Sequence, residues 1–303
     1  MKHFFATLIF SFAFINCSVS AKSQIFDGDV VSTQDFPFVG LIYRLPAITT
    51  CTATLIDKQW VLTASHCVSG EEPGEIFPPE SVEFKLDGNL KVKAQKIFTY
   101  NPQGLDLDYD VALVKLAQPL PIQPVAIPKT NDNAFIKSQD VIPVGYGSSK
   151  IEWIQYNDPQ SCPQYGLPCY RFNLSGDGKL RKGLGVILSD TEIKTKIKQC
   201  IEFGDLIEIT YNPATMLGMY SPNGQHALPG DSGGPLLIQT PQGYMQIGIT
   251  SWGPRLAGDG GAKEYREIDK QQIEEHVKMQ PIFYANLLNK DILRFIYSTM
   301  RNE

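Results

Sequence analysis

Between Ser81 and Ala94 the chain reads SVEFKLDGNLKVKA, and that stretch limits the fold more than any other. Val82, Phe84 and Leu86 alternate with Glu83 and Lys85. Asp87-Gly88 supplies a tight turn, and Leu90, Val92 and Ala94 resume the alternation. A two-residue period on both sides of an Asp-Gly turn is a hairpin with one face buried. Similar short apolar runs recur at Phe38 to Arg44, Ala53 to Ile56, Val111 to Leu116, Val141 to Gly145, Pro235 to Gln239 and Met245 to Ser251. The 25 glycines and 21 prolines are scattered between such runs, which favours a turn-rich β protein over a helical one. Many short strands at this spacing predict an all-β fold of antiparallel barrels or a sandwich.

Two helices interrupt the pattern. Ser189-Asp190-Thr191-Glu192 is a capping box, with Ile193 and Ile197 behind it. Tyr284, Leu287, Leu288, Ile292, Phe295 and Ile296 recur at helical spacing and predict a docked C-terminal helix. The proline-punctuated AQPLPIQPVAIP, from Ala117, marks a boundary near 117–134 between two unequal β halves. Residues 148–215 fit the strand pattern worst.

Lys2 and His3 precede the uncharged stretch Phe4 to Asn16, and Val19-Ser20-Ala21 follows as a small-residue cleavage site. This predicts a signal peptide over 1–21 and export. Thirteen uncharged residues fall short of the ~20 that span a bilayer, so no membrane anchor is expected. A formal charge of −5 without a basic stripe argues against a nucleic-acid partner. Export places the five cysteines beyond Cys17 in an oxidising compartment, and their odd number leaves at least one without an intramolecular partner.

Three segments carry the chemistry. LTASHC places His66 directly after an apolar strand, YDVALVKL places Asp110 at the start of another, and HALPGDSGGP holds Ser232. A serine hydroxyl becomes a useful nucleophile when a base takes its proton, and the base needs a carboxylate to hold its tautomer. In these motifs, and in Ser251-Trp252-Gly253 and Gly145-Tyr146-Gly147, the sequence resembles the chymotrypsin-fold (trypsin-like) serine proteases. The resemblance runs from Ile25 to about Tyr265 and is poor over 148–215.

The resemblance implies two packed antiparallel β-barrels with a C-terminal helix, in a protease domain over 25–303. It implies His66 as general base and acid, Asp110 as its orienter and Ser232 as nucleophile. The backbone N–H groups of Gly230 and Ser232 would form the oxyanion hole. Ile25-Phe26-Asp27-Gly28 resembles the point where such zymogens are cut. After cleavage the Ile25 ammonium would pair with Asp231, and residues 22–24 would be a short propeptide. The bland alternative is that Ile25 begins an edge strand. Gln24 stands where a basic residue is usual, so an activating protease of trypsin-like specificity is not expected. Cys51 and Cys67 match the family's histidine-loop disulfide. Leu228 and Ile238 replace half-cystines usual in the family, and the pairing of Cys162, Cys169 and Cys200 stays open.

The substrate-binding residues implied are His226 and Ala227 at the pocket floor, Ser251, Trp252 and Gly253 along the substrate backbone, and Lys263 on the pocket wall. Lys263 enters through alignment of Ala262-Lys263-Glu264-Tyr265 with the family's Pro-Gly-Val-Tyr. No acid is available for a basic P1 side chain, the one before the cut. Two readings follow: an acidic P1 held by His226 and Lys263, or a small or aliphatic P1 if His226 plugs the pocket. Glu71, Glu72, Glu75 and Glu80 read as a solvated acidic face, and no metal or cofactor is expected. Asn173-Leu174-Ser175 is a glycosylation sequon, and His276 reads as a surface or helix-packing residue. Expected partners are protein or peptide substrates, with the chain a monomer. A silent homologue acting as a binding protein is the alternative, although all three triad residues are retained. An ester hydrolase of another fold would need a Gly-x-Ser-x-Gly elbow, which is missing.

Overall fold

The computed structural model describes residues 25–45, 49–70, 72, 74–87, 90–100, 107–129, 140–164, 166–203, 211–254 and 265–303. The expected signal peptide and propeptide, Glu71, Gly88 and Lys263 lie outside them. No described helix is long and apolar enough to cross a membrane.

After a two-residue strand β1 (Asp29–Val30), six strands build the first half: β2 (Val39–Arg44), β3 (Thr49–Asp57), β4 (Trp60–Thr63), β5 (Val82–Lys85), β6 (Lys91–Thr99) and β7 (Ala112–Leu116). They close into an antiparallel barrel in the order β2-β3-β4-β7-β6-β5. Its walls follow the alternation read from the sequence. Val82 and Phe84 point inward, Glu83 and Lys85 outward, and Phe84 sits opposite Val92 across the β5–β6 pair. Full closure leaves this barrel no open edge to aggregate.

The second half contains β8 (Ile142–Gly145), β9 (Lys150–Tyr156), β10 (Cys169–Ser175), β11 (Arg181–Lys182), β12 (Val186–Ile187), α1 (Asp190–Phe203), β13 (Met216–Tyr220), β14 (Pro235–Thr240), β15 (Gly243–Trp252), α2 (Asp269–Met279), β16 (Ile282–Asn286) and α3 (Lys290–Asn302). Eight strands form one sheet in the order β1-β11-β8-β14-β15-β16-β13-β12. Among the described residues this sheet is a half-barrel rather than a closed one, so the second barrel is less complete than the first. The two halves share one core. Val144, Leu237, Ile249 and Ala285 of the second half pack with the interior of the first, and Ile292 and Ile296 of α3 join them. The fold is the two-barrel β architecture with a terminal helix.

The segment that fitted the strand pattern worst is an added module. β9 and β10 form their own hairpin, closed at its tip by a Cys162–Cys169 disulfide. Trp153, Phe172, Tyr265 and Ile273 cluster between this hairpin and α2, and Trp153 Nε1 donates to Glu274 at 2.8 Å. Cys200 is buried within α1. That helix starts with the expected capping box, the Ser189 N–H donating to Glu192 at 2.8 Å.

The terminal helix begins later than its spacing suggests. Tyr284 lies in β16, and α3 starts after Asn289, whose side chain accepts from the N–H groups of Asp291 and Ile292. All five residues of β16 are buried, so the apolar run 282–288 carries no readable period, and helix and strand look alike in it.

Candidate active site

The seam between the two halves collects the expected residues. His66 follows β4 in a single 3₁₀ turn, and Asp110 precedes β7, the strand paired with β4. Pairing Thr63 with Ala112 brings the two side chains together. His66 Nδ1 lies 2.7 Å from Asp110 Oδ2, and the His66 N–H donates to Oδ1 at 3.0 Å. Two hydroxyls complete the shell, Ser65 Oγ to Oδ1 at 3.0 Å and Ser251 Oγ to Oδ2 at 2.6 Å. Asp110 is fully buried, while the His66 side chain keeps 26% of its exposure.

Burial alone would neutralise both groups, and their partnership reverses this. For Asp110, desolvation opposes ionisation, but the His66 charge and the hydrogen bonds from His66 and Ser251 hold its carboxyl below the usual aspartate range. For His66, burial opposes the charged ring, and the Asp110 carboxylate outweighs it and raises the imidazole above its ordinary value. The pair is a histidine held in one tautomer by a buried anion, with its second ring nitrogen left for other work.

Ser232 comes to this pair from the other half. Its carbonyl accepts from the Thr52 N–H at 2.9 Å. Space at Gly233 is bounded by Thr52, Thr63 and Ala64, the residues leading into His66. Ser232 Oγ makes no hydrogen bond with His66 among the described residues. The loop 228–234 spends its N–H groups selectively. Asp231 donates to Leu228, Gly233 to Thr250 and Gly234 to Asp231. Among the described residues, the Gly230 and Ser232 N–H groups have no partner, which leaves two donors flanking Asp231. Gly230 has φ 99°, and a Cβ there would lie 2.8 Å from Gly147 Cα, so only glycine fits. The Cys51–Cys67 disulfide is present, joining β3 to the turn that carries His66.

Asp231 points away from Ser232 into the second half. Its carboxylate accepts from Gly147 at 2.8 Å and Leu228 at 2.9 Å, and a Cβ on Gly145 would overlap it. Burial pushes its pKa up to about 7 despite these bonds and the charge of Arg181 nearby. Arg181 is itself buried and forks onto Asp177 at 3.0 and 3.1 Å. Ile25 is buried with φ 31°, an unfavourable value for a β-branched residue. Phe26 exchanges both backbone hydrogen bonds with His226, at 2.8 and 3.0 Å.

His226 and Ala227 are buried at 4% and 6% exposure. Trp252 lies half-buried, stacked on Phe283 with ring centres 4.1 Å apart, and Phe283 is its partner in the β15–β16 register. The strand beside Ser251–Gly253 is therefore built by 282–286, while Tyr265 pairs with Tyr170 of the added hairpin. Ile282 packs in the cluster with Ala227, and a Cβ on Gly253 would lie 2.7 Å from Ile282 Cδ1. Ile282 and Phe283 went unread in the sequence. The signal that could have found them is the apolar run bounded by Pro281 and the helix cap Asn289. His276 packs on α2 with its ring stacked 3.7 Å from that of Phe203.

The family model described as Trypsin matches residues 25–270, and the chain belongs to this family of serine proteases. It is 26% identical over 239 residues to atrial natriuretic peptide-converting enzyme of Mus musculus, covering 77% of this chain and 19% of that protein. It is 25% identical to complement C2 of Bos taurus, covering 78% and 32%, and 25% identical to trypsin theta of Drosophila erecta, covering 78% and 79%. The chain thus spans about a fifth of the first relative, about a third of the second and most of the third.

The Asp231 environment makes a prediction. An acid whose folded pKa of about 7 exceeds its ordinary value of 3.8 binds more protons folded than unfolded. Its contribution therefore favours the fold at low pH and is lost as pH rises between about 4 and 7. In the chain not cut before Ile25, Asp231→Asn should gain stability relative to the parent as pH rises from 4 to 8. Urea unfolding of both proteins at the two pH values checks this; a difference that is flat or of opposite slope refutes it.

Proposed function

We propose that the chain is a secreted serine endopeptidase. The observation that carries the reading is the buried Asp110–His66 pair lying at the same seam as two unspent backbone donors. In this reading His66 Nε2 takes the Ser232 proton as Oγ attacks the scissile carbonyl, and later delivers it to the leaving amine. Asp110 keeps Nδ1 protonated and stabilises the imidazolium. The Gly230 and Ser232 N–H groups receive the oxyanion, preorganised because nothing else claims them. The Ser232–His66 hydrogen bond then forms in the substrate complex, as is common for catalytic contacts that are loose in the free enzyme.

Activation by cleavage before Ile25 fits the same seam. A buried carboxylate pushed towards neutrality is one that lacks a sufficient counter-charge, and a new Ile25 ammonium supplies it. The positive φ of Ile25 points the same way. The clash that disfavours it involves the preceding carbonyl, and a chain that starts at Ile25 has none. Signal removal after Ala21 and loss of residues 22–24 would leave this terminus, after a cut by a protease that accepts Gln24.

The pocket reading is a non-basic P1, since His226 and Ala227 form the floor. Ile282 against Gly253 narrows the wall and favours small or aliphatic side chains. An acidic P1 depends on Lys263, outside the described residues.

Four outcomes are expected. Ser232→Ala should lose roughly 10⁶ in kcat, the scale seen when a subtilisin loses its nucleophile. An active-site phosphonate should label the parent and spare this variant. A correctly folded parent that neither labels nor hydrolyses would establish the silent binding homologue instead. Amino-terminal sequencing of active protein should return Ile25, and Ala21 or Lys22 would remove the Asp231 switch. A fluorogenic panel should favour alanine or valine over arginine or lysine at P1 by at least about tenfold. Efficient cleavage after a basic residue would refute the pocket reading, and selective cleavage after glutamate would return Lys263 to it.

A further inference from the structure

Thr52 sits in β3 beside the half-cystine Cys51, is fully buried, and belongs to none of the motifs above. Its polar atoms nevertheless all reach the seam. The hydroxyl donates to the Gly230 carbonyl at 2.9 Å and accepts from the Tyr146 N–H at 3.1 Å. Its backbone N–H donates to the Ser232 carbonyl at 2.9 Å, and its own carbonyl accepts from Thr63 Oγ1 at 3.1 Å. One residue thus holds the carbonyl groups of both residues whose N–H groups stand unspent.

The geometry matters because Gly230 is a weak point. A glycine at φ 99° has little of its own to keep it there. The orientation of its carbonyl sets one of its two backbone dihedrals, and in the described structure the bond made by that carbonyl comes from the Thr52 hydroxyl. The same hydroxyl takes the N–H of Tyr146, whose neighbour Gly147 binds Asp231. Without it, a part-buried acceptor and a part-buried donor would lose their partners together, and loop rotation is one way to re-satisfy them.

We propose that Thr52 is a positioning residue for the oxyanion loop, its hydroxyl holding Gly230 so that the Gly230 and Ser232 N–H groups converge on one oxygen. This rests on the serine-peptidase reading and adds a residue that touches no substrate. An interaction that orients donors for the transition state should appear in kcat and leave KM nearly unchanged.

The test uses the full chain cut before Ile25. Thr52→Val keeps the shape and deletes the hydroxyl; it should lower kcat about tenfold, less than the 10²–10³ lost when an oxyanion donor itself is removed, with KM within about twofold. Thr52→Ser restores the hydroxyl and should return kcat to within about twofold of the parent. Thr52→Ala gives a second hydroxyl-free variant if valine fails to fold. Parent-like kcat in the hydroxyl-free variants, or equal impairment of serine and valine, overturns the proposal. If the parent itself proves unreactive, the peptidase reading fails separately, and amide hydrogen exchange then decides for Thr52. Exchange at Tyr146 and across 228–234 should quicken in Thr52→Val and not in Thr52→Ser, and unchanged protection overturns the role.

Discussion

One buried carboxylate organises the seam. Asp110 has no contact with water, and an unpartnered anion at such a depth would cost far more than a small domain can spare. It is tolerated because four donors converge on its two oxygens. Ser65 and His66 come from the turn after β4, and Ser251 comes from β15 in the other half of the molecule. The bond from Ser251 means that the first barrel alone does not satisfy Asp110. Closure of the two halves therefore completes the hydrogen-bond shell of the acid that orients His66.

A second constraint lies a few residues away. Asp231 is enclosed by Gly145 and Gly147, where no side chain could stand, and its oxygens take the N–H groups of Gly147 and Leu228. Where Asp110 is fully paid in hydrogen bonds and charge, Asp231 is not, and burial leaves its carboxyl near neutrality. The contrast divides the labour at the seam. One acid is settled by its partners in the chain as it stands, and the other is not. Thr52, from the first barrel, spans the interval by binding Gly230 and Ser232 on either side of Asp231.

Much of this was legible in the sequence, for physical reasons. Strands with one buried face announce themselves by alternation, as Val82, Phe84, Val92 and Ala94 do. His66, Asp110 and Ser232 stand in short motifs that keep residue types together. The helix starting at Ser189 could be read because a capping box is local chemistry. What failed was non-local. Tyr284 looked helical because a run buried on both faces has no period to betray a strand, and Ile282 and Phe283, which lie beside Trp252 and Gly253, went unread for the same reason. Thr52 is one threonine among several in a strand, and its role exists only once two barrels meet. The Cys162–Cys169 hairpin was invisible because cysteine pairing is a fact of three-dimensional proximity.

The reciprocal backbone bonds between Phe26 and His226 carry a consequence for anyone who would redesign the pocket. Phe26 and His226 are partners in one miniature antiparallel strand pair, so the two segments share a mechanical fate. A substitution at 226 that shifts its main chain will drag Phe26, and with it the adjacent Ile25. Under the proposed function, selectivity and switching would be coupled variables, and a library that varies position 226 should be sorted for precursor processing and for cleavage preference at the same time.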